Sequence, residues 1–329
     1  MDLYKNILRP ILFKIDPELI HEFSIRILKS SEFLNYKQTF CYQPKFKKTI
    51  LGMDFPNPIG LAAGFDKNAH LIDVIESLGF GFIEVGTITP RPQSGNPRPR
   101  LFRFPKDESV LNYMGFNNDG VIRINRRLEK RKSTNIIVGA NIGKNRDTDL
   151  NLAYKDYVCC VKELYSNVDY FTLNVSSPNT YGLRNLLDIE PLKYLLDSVQ
   201  NQNKSNPITR PILLKISPDM TDEQIIGIAD MCVDFEISGL ISTNTTINHN
   251  YQKGGLSGKP LSEKSLSILK TLNTYLNKKL ILISSGGIMD QSDAKLRFEN
   301  GSDLIQLYTG LIYEGPFLPY KILKSYDTQ

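Results

Sequence analysis

The sequence is poor in the residues that build metal centres. Its 329 residues include only 3 histidines (His21, His70, His249) and 4 cysteines (Cys41, Cys159, Cys160, Cys232). No cysteine pair stands at C-x-x-C spacing, so no metal site is indicated. Adjacent Cys159 and Cys160 fall in a helical stretch, and free, buried or half-buried thiols in a reducing compartment are expected. No apolar run reaches the roughly 18 residues that cross a bilayer. The N-terminus also lacks the continuous apolar core and cleavage site of a signal peptide, so any membrane contact is expected at the surface. Nor is there an excess of one charge: 40 basic and 35 acidic residues leave +5. A balance so small and scattered does not point to nucleic acid, yet it would not repel an anionic substrate or a membrane.

What is present is an alternation. Short apolar runs rich in Ile, Leu and Val stand at 58–63, 80–86, 136–141, 170–175, 212–216, 239–244, 280–284 and 304–309. They are apolar on both faces, as parallel strands covered by helices must be. Helical segments at 69–78, 150–165, 222–232, 262–276 and 292–299 lie between most of them. Eight units in one direction predict an α/β fold closed as a (β/α)₈ barrel, with a doubly wound open sheet as the alternative. Two interruptions, 88–112 and 244–261, have no obvious structure and follow strand ends, where lids and binding loops belong.

The first 40 residues stand outside this pattern. Leu3, Ile7, Leu8, Ile11, Leu12 and Ile15 recur at helical spacing, with Pro10 interrupting. Asp16-Pro17 reads as an N-cap with proline at the first helical position of a second amphipathic stretch, 18–29, whose apolar positions include Leu19, Ile20, Phe23, Ile27 and Leu28. One reading is a helical hairpin packed on the barrel. Interleaved Lys5, Arg9, Lys14, Arg26 and Lys29 favour an interfacial pair that docks on a membrane surface. The predicted organisation is therefore an appendage, 1–40, and a catalytic barrel, 41–329.

Polar residues concentrate at the predicted strand ends. In order these are Ala62-Ala63-Gly64-Phe65-Asp66-Lys67, Gly86-Thr87, Asn141, Asn174, Lys215, Thr243-Asn244-Thr245, Ser284-Ser285-Gly286-Gly287 and Tyr308-Thr309-Gly310. In a barrel they converge on one pocket. Gly286-Gly287 and Thr309-Gly310 follow strands 7 and 8, where barrels bind phosphate; with Gly258 they suggest a phosphorylated cofactor such as FMN. Tight turns are the alternative for either pair. Lys215 lies inside an apolar run, where it can serve an anionic ligand or reduced flavin, or else form a structural ion pair. Lys67 offers the same service unless it is an exposed loop residue. In Asn174-Val175-Ser176-Ser177-Pro178-Asn179, amides bracket serine without a nearby histidine, which suits a planar heterocycle with imide-like edges. A serine base there needs a relay and an acidic substrate proton.

Five segments carry a family resemblance: 57–67 (NPIGLAAGFDK), 84–100 (EVGTITPRPQSGNPRPR), 112–118 (NYMGFNN), 174–184 (NVSSPNTYGLR) and 306–316 (QLYTGLIYEGP). In this order they resemble the dihydroorotate dehydrogenases. Serine at 177 and the helical pair around Asp16-Pro17-Glu18 are similar to the class 2, quinone-linked enzymes, which implies that the pair forms a membrane-facing tunnel for the quinone. The resemblance implies that Ser177 takes a proton from C5 of dihydroorotate while hydride passes from C6 to FMN, giving orotate. Ubiquinone or menaquinone then reoxidises the flavin. It implies substrate contacts from Lys67, Asn112, Tyr113, Met114, Gly115, Phe116, Asn174, Asn179, Asn244 and Thr245. It implies FMN contacts from Ala63, Gly64, Lys67, Thr87, Asn141, Asn174, Lys215, Thr243, Gly258, Gly287, Tyr308 and Thr309. Tyr113, Tyr181 and Ser284-Ser285 depart from the usual family residues. A monomer bound peripherally at the cytoplasmic side of a bacterial membrane is expected. The competing readings are a soluble class 1-type enzyme using fumarate or a partner flavoprotein, and a non-catalytic flavin-binding barrel tethered to membranes.

Overall fold

The computed structural model describes residues 2–30, 39–251 and 253–327. Eight parallel strands close into a barrel, which excludes the open-sheet alternative. They are β1 (Ile59–Leu61), β2 (Phe82–Ile88), β3 (Ile137–Ile142), β4 (Tyr170–Asn174), β5 (Ile212–Lys215), β6 (Gly239–Ser242), β7 (Ile281–Ser285) and β8 (Leu304–Leu307). Each pairs with the next in sequence, and β8 returns to β1 through Ile305 opposite Ile59. All eight fall on the predicted apolar runs, because two-faced burial leaves an uninterrupted hydrophobic signature.

The barrel interior is layered. Phe55, Phe82, Tyr170, Leu213, Ile241, Ile283 and Leu304 fill its N-terminal end as one apolar cluster. Gly60 and Gly139 make room for it: a Cβ on either would lie within 2.2 Å of the Phe82 or Tyr170 ring. A hairpin, Lys48–Ile50 with Met53–Phe55, closes this end. Its Phe55 meets Phe82 edge-to-face at 5.4 Å. With the bottom sealed by hydrocarbon, polar groups can collect only toward the C-terminal ends.

Helices Ala153–Leu164, Asp222–Asp234, Ser262–Leu276 and Gln291–Glu299 cover the barrel as predicted. The expected helix at 69–78 is shorter: Ile72–Ile75 followed by a 3-10 turn, Glu76–Leu78. Left-handed Ala69 and Gly79 bound it on either side. Helices Val121–Glu129 and Ile189–Ser205 were not read from the sequence, since the first is short and largely charged and the second polar over most of its surface. The cysteines are free, with Cys41, Cys160 and Cys232 buried and Cys159 half-buried.

The two long interruptions are not structureless. Leu101–Phe104 and Ser109–Asn112 form a hairpin from the first, and Gly255–Gly258 from the second adds a third antiparallel strand. Asn112 stands opposite both Leu101 and Gly255. A sheet built from segments some 150 residues apart has no local signature.

At the N-terminus a π-type turn, Tyr4–Leu8, leads into α1 (Arg9–Leu12) and then α2 (Pro17–Ser30). Asp16 caps α2 as predicted, its Oδ1 accepting from the N–H groups of Glu18 and Leu19, both at 3.0 Å. Two of the five cations are not available to a membrane: Lys5 pairs with Glu314, and Arg9 donates to the Tyr313 carbonyl at 2.9 Å. Lys14, Arg26 and Lys29 remain exposed. Between them Leu3, Ile7, Ile11, Leu19, Phe23 and Ile27 present an exposed apolar face. No described helix is long and apolar enough to cross a membrane.

Candidate active site

One pocket opens at the C-terminal ends of the strands. Ala63, Gly64 and Lys67 reach it from the end of β1, and Thr87 from β2. Asn174 and Ser177 come from β4, Lys215 from β5, and Thr243, Asn244 and Thr245 from the end of β6. Gly287 after β7 and Tyr308 and Thr309 after β8 complete the ring, while Asn112, Met114, Gly115, Phe116 and Asn179 form a roof. Converging strand ends thus assemble residues that are up to 248 positions apart, Ala62 to Gly310.

Three predicted residues stand behind this wall. Asn141 is buried, and its Oδ1 accepts from Thr87 Oγ1 at 2.5 Å and from Asn174 Nδ2 at 3.0 Å. Gly258, at φ +97°, packs against Glu108 and Thr309; a Cβ there would lie 2.3 Å from the Glu108 carbonyl oxygen. Tyr113 turns its ring to the ammonium of Lys253, 4.6 Å from the centroid. Its carbonyl accepts from Asn96 Nδ2, which also holds the Asn179 carbonyl. Tyr181 is almost fully exposed at its loop tip.

The amides form two hydrogen-bonded groups. Asn174 Nδ2 donates to Thr87 and Asn141, and Asn174 Oδ1 accepts from Asn244 Nδ2 at 3.1 Å. Asn244 also donates to Ser176 Oγ, and its Oδ1 accepts from the Thr245 N–H at 2.8 Å. Asn179 Nδ2 donates to Asn112 Oδ1 at 2.8 Å, leaving its own buried Oδ1 without a partner among the described residues. Ser177 Oγ accepts from the Asn179 N–H at 3.3 Å. Among the described residues no imidazole or carboxylate hydrogen-bonds to it, which keeps the expectation of a relay.

Both lysines are turned inward. No acceptor among the described residues takes a proton from Lys215 Nζ, and burial pushes its pKa down against the opposing pull of Glu84. Lys67 Nζ donates to the Gly64 carbonyl at 2.7 Å. Burial lowers its pKa to about 8, with Glu18 acting in the other direction. Sequence reasoning overlooked Glu84, a fully buried carboxylate in β2. Its position in the apolar run Phe82-Ile83-Glu84-Val85 was the same signal that singled out Lys215.

The pocket fits a flavin phosphate on its own features. Gly286 and Gly287 have φ of +100° and +71°, and a Cβ on Gly287 would lie 2.3 Å from Ser262 Cα. Arg297 fixes this loop by donating to the Ser262 and Gly286 carbonyls. Unpartnered Lys215 Nζ and the buried Gln306 Oε1 supply a donor and an acceptor for a heterocycle's edge.

The chain matches the dihydroorotate dehydrogenase family model over residues 45–328. It belongs to that family. The dihydroorotate dehydrogenase (quinone) of Christiangramia forsetii is 46% identical, over 96% of either chain. That of Pseudomonas fluorescens is 42% identical, over 94% of either chain. A crystal structure of the Eimeria tenella enzyme in complex with ferulenol superposes with a TM-score of 0.88 at 35% identity, covering 94% of this chain and 90% of that one. Against this family background a second cavity gains meaning. An apolar space of about 330 Å³ lies between the N-terminal helices and the barrel, lined by Leu12, Ile20, His21, Phe65, Leu311 and neighbours. Val110 and Tyr308 face both cavities. His21 meets Phe65 edge-to-face at 4.9 Å, and Phe65 meets Tyr308 at 5.7 Å. Burial holds the His21 pKa down to about 3, so the ring is neutral near pH 7.

Proposed function

We propose that this chain oxidises (S)-dihydroorotate to orotate in pyrimidine synthesis, with FMN as hydride acceptor and a quinone as terminal oxidant. The observation that carries the reading is the pair of adjoining cavities: a polar pocket with Ser177 in its wall, and an apolar one that shares Tyr308 and Val110 with it. A polar substrate and a hydrocarbon-tailed oxidant need two such environments within reach of one cofactor. A soluble class 1-type enzyme would have no use for the apolar chamber, and the full-length match to quinone-linked relatives supports the same choice. The retained Ser177, lysines and amides speak against a non-catalytic barrel.

FMN, when bound, would supply the hydride-accepting and electron-relaying chemistry between the substrate and the quinone. Ala63, Gly64, Thr87, Asn174, Thr243, Gly287, Tyr308 and Thr309 would surround it, Asn141 and Gly258 acting from behind by shaping that wall. Lys215, whose Nζ has no hydrogen-bond acceptor among the described residues, would offset negative charge on the flavin ring. Lys67 would offset the substrate carboxylate, while Asn112, Asn174, Asn179, Asn244, Thr245 and the main chain of Met114, Gly115 and Phe116 would hold the ring. Ser177 Oγ would take the C5 proton as its own hydroxyl proton leaves through the relay that so weak a base needs. The segment 1–40 would act as a membrane-docking appendage to the catalytic unit 41–329, through the exposed face of Leu3, Ile7, Ile11, Leu19, Phe23 and Ile27. Its remaining exposed cations suit an anionic cytoplasmic leaflet.

The test is spectroscopic. The purified protein should carry a flavin spectrum that dihydroorotate bleaches without oxygen. Added quinone should then restore it, while fumarate and NAD should not. Restoration by fumarate instead of quinone would overturn the choice of oxidant, and failure to bleach would overturn the substrate.

A further inference from the structure

Glu84 is a buried carboxylate that does not itself line the pocket, and four side chains donate to it, Gln306 of the pocket wall among them. Its Oε1 accepts from Asn141 Nδ2 at 2.7 Å. Its Oε2 accepts from Gln306 Nε2 at 2.8 Å, Thr172 Oγ1 at 3.0 Å and Tyr170 OH at 3.3 Å. With donors on both oxygens Glu84 serves only as an acceptor, so the Asn141 amide is fixed with its nitrogen toward Glu84 and its oxygen toward the pocket wall. That oxygen requires donors, and Asn174 Nδ2 supplies one. Asn174 must then present its oxygen to Asn244 Nδ2. At the far end the Thr245 N–H, which can only donate, holds the Asn244 oxygen. One acceptor-only end and one donor-only end thus give the chain Glu84, Asn141, Asn174, Asn244 a single direction.

We infer that Glu84 is a positioning residue that sets which face of the amide cage accepts and which donates. Resting on the dihydroorotate reading above, this deepens it. In the direction observed, Asn174 and Asn244 keep spare lone pairs on Oδ1 for ring N–H groups of the ligand, whereas both hydrogens of each Nδ2 are already used. Reversal would turn acceptors into donors and set them against the ligand's N–H edge.

Glu84→Gln is nearly isosteric and breaks the rule. Its oxygen is retained on the side with three donors, so its nitrogen faces Asn141, which must turn over and collide with the fixed order further along. The exchange Glu84→Gln/Asn141→Asp moves the carboxylate one link along. The introduced amide then donates to the aspartate, which still accepts from Asn174, and the direction is restored. The readout is orotate affinity, from the change it causes in the visible spectrum of the FMN-loaded protein, with flavin reduction followed separately. Orotate binding is expected about tenfold weaker in Glu84→Gln, the loss of roughly one net hydrogen bond, and several-fold tighter in the exchange variant than in that single variant. The KM for dihydroorotate should move with it more than the limiting rate of flavin reduction. Wild-type affinity in Glu84→Gln, or an exchange variant no better than the single, overturns the inference. If the single variant does not fold, the exchange decides alone. A folded, orotate-binding exchange variant supports the inference, and one that fails to fold or binds tenfold more weakly refutes it. No spectral response to orotate in the wild-type protein would instead refute the substrate reading itself.

Discussion

Replacing Glu18 by alanine should strand a buried guanidinium. Glu18 and Arg100 are each 5% exposed, and they join α2 to the proline- and arginine-rich segment after β2. Arg100 Nε lies 3.1 and 3.2 Å from the two carboxylate oxygens and Nη2 lies 2.7 Å from one of them. After the substitution only Nη1 keeps acceptors, the carbonyls of Ser94 and Asn96 at 2.6 and 2.7 Å. Breaking a buried pair from one side typically costs about 3–5 kcal/mol. Arg98 is half-exposed and keeps Glu22, so it adds little to that sum. The expected loss is therefore near the lower end, about 3 kcal/mol. Removing both charges, as Glu18→Ala/Arg100→Met, should recover most of it, because no buried charge is then left unpaired. Urea unfolding followed by circular dichroism at constant slope measures both. A Glu18→Ala midpoint equal to wild type, or a double variant less stable than the single, would refute the argument that desolvation dominates here.

Ser177→Ala should slow anaerobic flavin reduction by about 10²–10⁴-fold, the range for loss of a general base, with flavin content unchanged; bleaching at the wild-type rate would remove Ser177 from the mechanism. Deletion of residues 1–40 should spare flavin reduction but cut quinone reduction severely, and equal loss of both half-reactions would argue against a separate role for the helices. Lys67, with a pKa of about 8, is charged below that pH and neutral above it. Orotate affinity should therefore fall as pH rises through about 8, or somewhat higher once the bound anion favours the charged lysine. A Lys67→Met variant should bind weakly at every pH, and an unchanged wild-type pH profile in that variant would exclude Lys67 as the titrating group.

Burial on both faces made all eight strands visible in the sequence, and capping chemistry did the same for Asp16 at the start of α2. Lys215 stood out because a lysine in an apolar run has no solvent to reach. Glu84 met the same criterion and was passed over, since its partners Asn141, Tyr170, Thr172 and Gln306 are distant in sequence. Helices Val121–Glu129 and Ile189–Ser205 escaped because their surfaces are mostly polar.

By itself, then, the sequence determined the barrel, the polar ring at its strand ends, the family segments and the amphipathic appendage. These depend on local periodicity, on residue type at a strand end or on linear motifs. The three-stranded roof across residues 101–258, the placement of Asn141 and Gly258 behind the wall, the capture of Lys5 and Arg9 by the barrel and the direction of the amide chain were decided only in three dimensions. Each depends on which donor meets which acceptor across long separations, and hydrogen-bond polarity leaves no trace in linear order.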